Sequence, residues 1–254
     1  MHQIPRLGRR LGTVIGTLLL TVAASLAAVS VTAAPAHADA CYTWSGTLQQ
    51  GSSGGAVTQL QIRVAGWAAS GTVFSIDGSY GPATTTAVRN FQAAYGLSAD
   101  GVAGANTFNK IYALQDDDCT PVHFAWSEVD DVCYGGWPTP ISGVTVAQIK
   151  ANLMQAMWRA EAIRHRLGDN PLRVTSAYRS KACNDAVGGA SNSNHLYGRA
   201  MDLVPGSSAT TMCGIARASR QSFPQVLGPG YPDHSDHIHL GIQSSVFHSA
   251  SQCF

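Results

Sequence analysis

Charge is scarce in this chain: Asp, Glu, Lys and Arg together make up only 12% of its 254 residues. No basic patch stands out, which excludes the electrostatic footprint of a nucleic-acid binder. Closely spaced cysteine pairs are missing as well. No two of the six cysteines stand in C-x-x-C spacing, so a cysteine-rich zinc site is set aside. Ser193 has neither a Gly-x-Ser-x-Gly nor a Ser-x-x-Lys setting around it, which removes the usual contexts of a serine nucleophile at that position.

What is present begins with an export signal. Arg6, Arg9 and Arg10 precede an apolar run from Leu11 to about Val31, and Ala36-His37-Ala38 has the small residues of a cleavage site. Residues 1–38 are therefore expected to be a secretory signal peptide. Gly, Ser and Thr punctuate the run, which argues against a membrane anchor. Without those residues the chain has 13 basic and 15 acidic side chains, a formal charge of −2. All six cysteines lie beyond the signal, and an even count in an exported protein implies three disulfides. Fifteen pairings of six thiols are possible, and spacing alone selects none of them. The remaining chain, 45% hydrophobic over the full length, has enough apolar residues to build a buried core.

Two domains are expected. Between residues 51 and 114 the stretch Asp77-Gly78-Ser79-Tyr80-Gly81-Pro82-Ala83-Thr84 is echoed twenty-three residues later by Asp100-Gly101-Val102-Ala103-Gly104-Ala105-Asn106-Thr107. Each copy reads as an Asp-Gly turn followed by a helix start, with Pro82 suited to a first helical turn. Val57, Leu60 and Val64, then Val88, Phe91 and Tyr95, then Phe108, Ile111 and Leu114 fall on single helical faces, which predicts three short helices. The acidic, turn-prone run Asp116-Asp117-Asp118 ahead of Cys119 and Pro121 is the expected boundary, giving domains 39–118 and 119–254. In the second, an apolar stripe through Val146, Ile149, Leu153, Met157, Ala160, Ile163 and Leu167 predicts a long helix within 144–167, stopped at Gly168-Asp169-Asn170-Pro171. Residues 172–178, 200–204 and 237–242 read as short strands. The expected fold is a small all-α three-helix domain followed by an α+β domain with a small, mainly antiparallel sheet.

The chemistry concentrates in that second domain. Four of the nine histidines, His195, His234, His237 and His239, lie in two short segments that also carry Asp202 and Asp236. A hydrolytic zinc site takes three protein ligands from His, Asp or Glu and keeps a position open for water. His195, Asp202 and one histidine of the 234–239 cluster supply such a set, since a tight loop through Gly198 can bring the first two to face one ion. Spacing does not decide between His237 and His239, which share a strand face. Asp236 as partner base favours His239. The pattern points to metal-assisted hydrolysis.

Two resemblances add to this reading. The segment 51–114, with Gly51-Ser52-Ser53-Gly54-Gly55-Ala56-Val57-Thr58-Gln59-Leu60-Gln61 ahead of its two turns, resembles the small helical peptidoglycan-binding module of exported wall hydrolases. Ser193-Asn194-His195-Leu196-Tyr197-Gly198-Arg199-Ala200-Met201-Asp202 resembles the S-x-H-x-x-G-x-A-x-D signature of zinc D-Ala-D-Ala carboxypeptidases and dipeptidases. Asp236-x-x-His239 stands where that family carries an acidic residue ahead of its last ligand, though the family commonly has Glu there. The resemblance implies one Zn2+ per chain held by His195, Asp202 and His239. It further implies that Asp236 is the base, His234 a second catalytic histidine and Arg179, in Ser176-Ala177-Tyr178-Arg179-Ser180, the substrate-holding arginine. Ser193 is expected beside the substrate as a hydrogen-bond partner of the site. Sequential disulfides, Cys41 to Cys119, Cys133 to Cys183 and Cys213 to Cys253, are implied by the same likeness.

The implied activity is removal of the terminal D-Ala from peptidoglycan stem peptides by a secreted or wall-associated monomer. Peptidoglycan is the expected partner; nucleic acid and, after signal removal, membrane are not. An endopeptidase cutting cross-bridges or L-Ala-D-Glu bonds is the alternative within the enzymes. A non-catalytic wall-binding protein with a structural metal is the alternative outside them, disfavoured because a structural site has no use for Asp236.

Overall fold

The computed structural model describes residues 41–254, so the signal peptide read at 1–38 lies outside the described residues. Among the described residues no helix is long and apolar enough to cross a membrane. The three disulfides are Cys41–Cys119, Cys133–Cys183 and Cys213–Cys253, the sequential pattern.

The N-terminal part is helical, as its periodicity predicts: α1 (Gly55–Val64), a 3-10 turn (Ala65–Trp67), α2 (Pro82–Ala94) and α3 (Ala105–Ala113). Pro82 opens α2, where its missing N–H costs no bond. The three apolar faces meet in one core of Val57, Leu60, Val64, Val88, Phe91, Phe108 and Ile111, with Tyr95 and Leu114 packed at its edge.

The sequence repeat has a physical cause in two buried glutamines. Gln61 Nε2 donates to Asp77 Oδ1 (2.9 Å), Ser79 O (3.1 Å) and Thr84 Oγ1 (3.1 Å), while its Oε1 accepts from Gly78 N at 2.8 Å. Gln92 repeats this on the second turn, with Asp100 Oδ1 (3.0 Å), Val102 O (3.0 Å), Thr107 Oγ1 (3.1 Å) and Gly101 N (2.9 Å). One side-chain amide thus satisfies a whole Asp-Gly turn and ties it to the following helix. Gly78 and Gly101 adopt left-handed backbone, φ 74° and 76°, which glycine accepts without strain.

The C-terminal part contains α4 (Trp126–Val129), α5 (Val146–Arg166), β1 (Leu172–Ser176), α6 (Lys181–Ala186), a 3-10 turn (Asn194–Tyr197), β2 (Ala200–Pro205), α7 (Met212–Ser219), β3 (Gln225–Leu227), β4 (Ile238–Gly241) and β5 (Phe247–Ser249). Helix α5 starts at a capping box: Thr145 Oγ1 accepts from Gln148 N at 3.2 Å, and Gln148 Oε1 accepts from Thr145 N at 2.8 Å. The sheet order is β1-β2-β4-β3-β5, antiparallel except for the β3–β5 pair. Strands β1 and β4 fall within the expected segments, and β2 runs one residue past its own, to Pro205. β3 and β5, three residues each, were not anticipated, because runs that short carry no readable alternation.

Alternation divides the sheet into two faces. Met201, Leu203, Val226, Ile238 and Leu240 enter the core with Ile149, Leu153, Met157, Ile163, Ile215 and Ala216 from α5 and α7. Their neighbours Asp202, His239, Leu227 and Gln225 therefore stand on the opposite face. Before β2, the 3-10 turn ends at Gly198, whose φ is +65°. A Cβ there would stand 2.7 Å from Ile149 O, so only glycine lets the turn lie against α5.

The two expected domains share α5. Trp158 and Ala162 of this helix belong to the N-terminal core, and a Cβ on Gly66 would come within 2.5 Å of Ala162 Cβ. The Arg166 guanidinium lies 4.5 Å from the Trp67 ring centroid and donates to Gly66 O, and Ser222 Oγ donates to the same carbonyl at 3.0 Å.

Two stability outcomes are expected. Replacing Gln92 with Leu strands Gly101 N–H and the Thr107 hydroxyl, and chemical denaturation should report a loss of about 1–3 kcal/mol. Gly198→Ala combines left-handed strain with a backbone collision, and its loss in the same measurement should be at least about 1–3 kcal/mol.

Candidate metal centre

The local chain path explains how three distant residues meet. Ser193 caps the 3-10 turn, its Oγ accepting from His195 N at 3.3 Å. After Gly198 the chain enters β2, where Asp202 pairs across the ladder with His239 of β4. His195 thus approaches from the turn while Asp202 and His239 stand side by side on the sheet face.

Their donor atoms converge. His195 Nε2 is 3.3 Å from Asp202 Oδ1 and 3.2 Å from His239 Nδ1, and His239 Nδ1 is 2.8 Å from Asp202 Oδ1. The second nitrogen of His195, Nδ1, lies 2.6 Å from Ala177 O. A carbonyl only accepts, so Nδ1 carries the proton and Nε2 presents its lone pair to the cluster. Asp202 Oδ2 accepts from Arg179 Nη2 at 2.7 Å, and Arg179 Nε donates to Ser176 Oγ at 2.7 Å. The arginine therefore turns Oδ1 toward the histidines.

The electrostatics suit a cation. Burial by itself would raise the Asp202 carboxyl, but His195 and His239 outweigh it and hold the group well below the usual carboxylate range. Burial pulls the His239 imidazole below its ordinary value against the pull of Asp202, favouring the neutral ring that can act as a ligand. Ligands of a tetrahedral zinc, bonded at about 2.0–2.1 Å, stand roughly 3.3 Å apart. The observed separations of 2.8–3.3 Å fit that cage. A second group, Asp131, Cys133 and Cys183, also has its donor atoms within 4.8 Å of one another, but its two sulfurs are joined in a disulfide and supply no thiolate.

The cluster opens into a cavity of about 800 Å³ whose wall includes Arg179, Ser193, His234, His237 and Gln225. His234 Nδ1 donates to Pro232 O at 2.6 Å, leaving Nε2 as its other ring atom. Asp236 is placed differently from a base aimed directly at the ion. Its side chain is 85% exposed, and Oδ1 accepts from His237 Nδ1 at 2.8 Å, which holds the carboxyl below its ordinary pKa. His237 lies between it and the centre, with Nε2 3.9 Å from Asp202 Oδ1. His237, left open as a ligand by spacing, is thus outside the group of converging donors. Sequence reasoning missed the Ala177 carbonyl, which no side-chain pattern reports, and Gln225, which lies on an unread strand.

Comparison with known proteins agrees with this architecture. Residues 137–241 match the Peptidase M15 family, and residues 53–111 match the putative peptidoglycan binding domain. The chain is similar to a zinc D-Ala-D-Ala carboxypeptidase of Streptomyces albus G, 52% identical over 235 residues that cover 91% of this chain and 89% of that protein. A short match, 54% over 39 residues, joins 15% of this chain to 11% of the N-acetylmuramoyl-L-alanine amidase CwlL of Bacillus licheniformis. A solved structure of the SleB N-terminal domain, 36% identical, covers 28% of this chain and 96% of its own, with a TM-score of 0.25. With the helical module in front and the convergent His-Asp-His cluster behind, the chain belongs to the M15 peptidase family.

Proposed function

We propose that this protein is a secreted zinc D-Ala-D-Ala carboxypeptidase that removes the terminal D-Ala from peptidoglycan stem peptides. In this reading residues 1–38 direct export, 39–118 hold the wall and 119–254 carry the reaction. The carrying observation is the meeting of His195 Nε2, Asp202 Oδ1 and His239 Nδ1 within 2.8–3.3 Å at the floor of an open cavity. The similarity to the Streptomyces albus G enzyme over 91% of the chain supports the substrate.

His195, Asp202 and His239 would hold the ion, oriented by the Ala177 carbonyl and by Arg179. When bound, zinc supplies Lewis-acid polarisation of the scissile carbonyl and makes the attacking water more acidic. Asp236 serves as base through His237: by accepting from Nδ1 it leaves Nε2 as the acceptor facing the centre. Two anionic groups of the reacting substrate need partners, the terminal carboxylate and the tetrahedral oxyanion. Arg179 and the protonated form of His234, whose Nε2–H then donates, both on the cavity wall, supply them. Arg179 Nη1 makes no hydrogen bond among the described residues, so it is available for that contact while Nη2 stays on Asp202. Ser193 holds the His195 turn at the cavity rim. The protein acts as a monomer at the wall, away from the membrane.

Incubation of the mature protein with a peptide ending in D-Ala-D-Ala should release free D-Ala, stop on chelation and resume on adding zinc. Cleaved cross-links in purified wall without D-Ala release would favour the endopeptidase, and wall binding without cleavage would reduce the protein to a binding module. His195→Ala should lower zinc from one per chain to none in metal analysis and reduce kcat/KM by more than about 100-fold. Asp236→Asn should keep the zinc and lower kcat by about 100-fold or more; an unchanged kcat would remove the proposed base.

A further inference from the structure

We infer that Gln225 is a substrate-recognition residue, its side-chain amide donating to a main-chain carbonyl of the peptide upstream of the scissile bond. The assignment rests on the carboxypeptidase reading above. Ladder register places it: Leu227, His239 and Asp202 form one row across β3, β4 and β2, and Gln225, Gly241 and Ala200 form the next row on the same face. Two residues along an antiparallel strand span about 6.8 Å, so Gln225 stands that far along the sheet from the row carrying Asp202 and His239.

Three elements build a notch for this one amide. Asn194, the residue before His195, donates from Nδ2 to Gln225 Oε1 at 3.2 Å. This leaves Gln225 Nε2 with no acceptor among the described residues, on a side chain that lines the cavity. Gly241 makes the space. A Cβ there would collide with Gln225 Oε1 and stand 3.1 Å from Asn194 Nδ2. Gln243, another amide on that wall, already gives its Nε2 to Ser245 O at 3.0 Å.

Chemistry and length select the ligand group. A neutral N–H donor suits a neutral carbonyl, whereas a terminal carboxylate calls for a cation. An extended peptide advances about 3.3–3.6 Å per residue, so about 7 Å from the reacting carbonyl reaches the acyl arm two residues upstream. The leaving D-Ala, a single residue, does not extend that far.

The test compares free D-Ala-D-Ala with an N-blocked pentapeptide ending in D-Ala-D-Ala, using the zinc-loaded enzyme. Two variants are read beside the wild type: Gln225→Leu removes the donor at similar volume, and Gly241→Ala pushes the amide out of its notch without altering it. Both should lower the pentapeptide-to-dipeptide ratio of kcat/KM by about 3- to 10-fold, through KM, the size of one neutral hydrogen bond. A ratio equal to the wild type in both variants overturns the inference, including the case where Gln225 merely supports the fold and both substrates suffer alike. If the wild type releases no D-Ala from either peptide, the carboxypeptidase reading falls. Calorimetric Kd values for the pentapeptide then decide the Gln225 assignment: weaker binding by Gln225→Leu supports it, equal binding ends it.

Discussion

A single buried carboxylate organises the catalytic half of this protein. Asp202 sits on a central strand, and an isolated anion in that position would cost several kcal/mol in lost hydration. Both of its oxygens are therefore committed. One faces His195 and His239, the other Arg179. Each partner arrives on a different piece of chain: the turn before β2, the neighbouring strand β4 and the loop after β1. The sheet register, the glycine at 198 and the Ala177 carbonyl all serve to deliver these groups to one point.

This dependence explains why the geometry is so compact in sequence. His195 and Asp202 are near one another along the chain because a 3-10 turn and a left-handed glycine are enough to reverse the path between them. His239 can be distant in sequence because antiparallel pairing, rather than chain proximity, sets it opposite Asp202. The same pairing gives the sheet an apolar side against α5 and α7 and a polar side facing the cavity. Core and site are two readings of one alternation.

Much of this was legible from residues. The three helical faces of the N-terminal part, the long helix α5 with its stop at Gly168-Asp169-Asn170-Pro171 and the three longer strands all follow from apolar spacing and turn chemistry. So did the association of His195, Asp202 and His239 as a group, although choosing His239 over His237 drew on likeness to a family. Interactions between distant polar groups were not legible. The doubled Gln61 and Gln92 networks show in sequence only as an echo of Asp-Gly turns, and the glutamines that cause it lie in helices outside the echo. Asp236 reads in the sequence as the base, but spacing says nothing of its hydrogen bond with the adjacent His237 side chain, just ahead of β4. The division at Asp118 was read from a short acidic, turn-prone run, and helix α5 contributes to the cores on both sides of it.

That shared helix has a mechanical consequence. A module joined by a slack tether lets its cargo sweep a volume, and its benefit is a raised local concentration that fades with tether length. Here Trp158 and Ala162 are embedded in the helical part while Ile149, Leu153 and Met157 of the same rod lie under the sheet. Attachment of the front half to the sacculus would consequently set the orientation of the rear half as well. The enzyme would work as a caliper with one fixed opening, processing the stems that lie at that span and passing over nearer and farther ones.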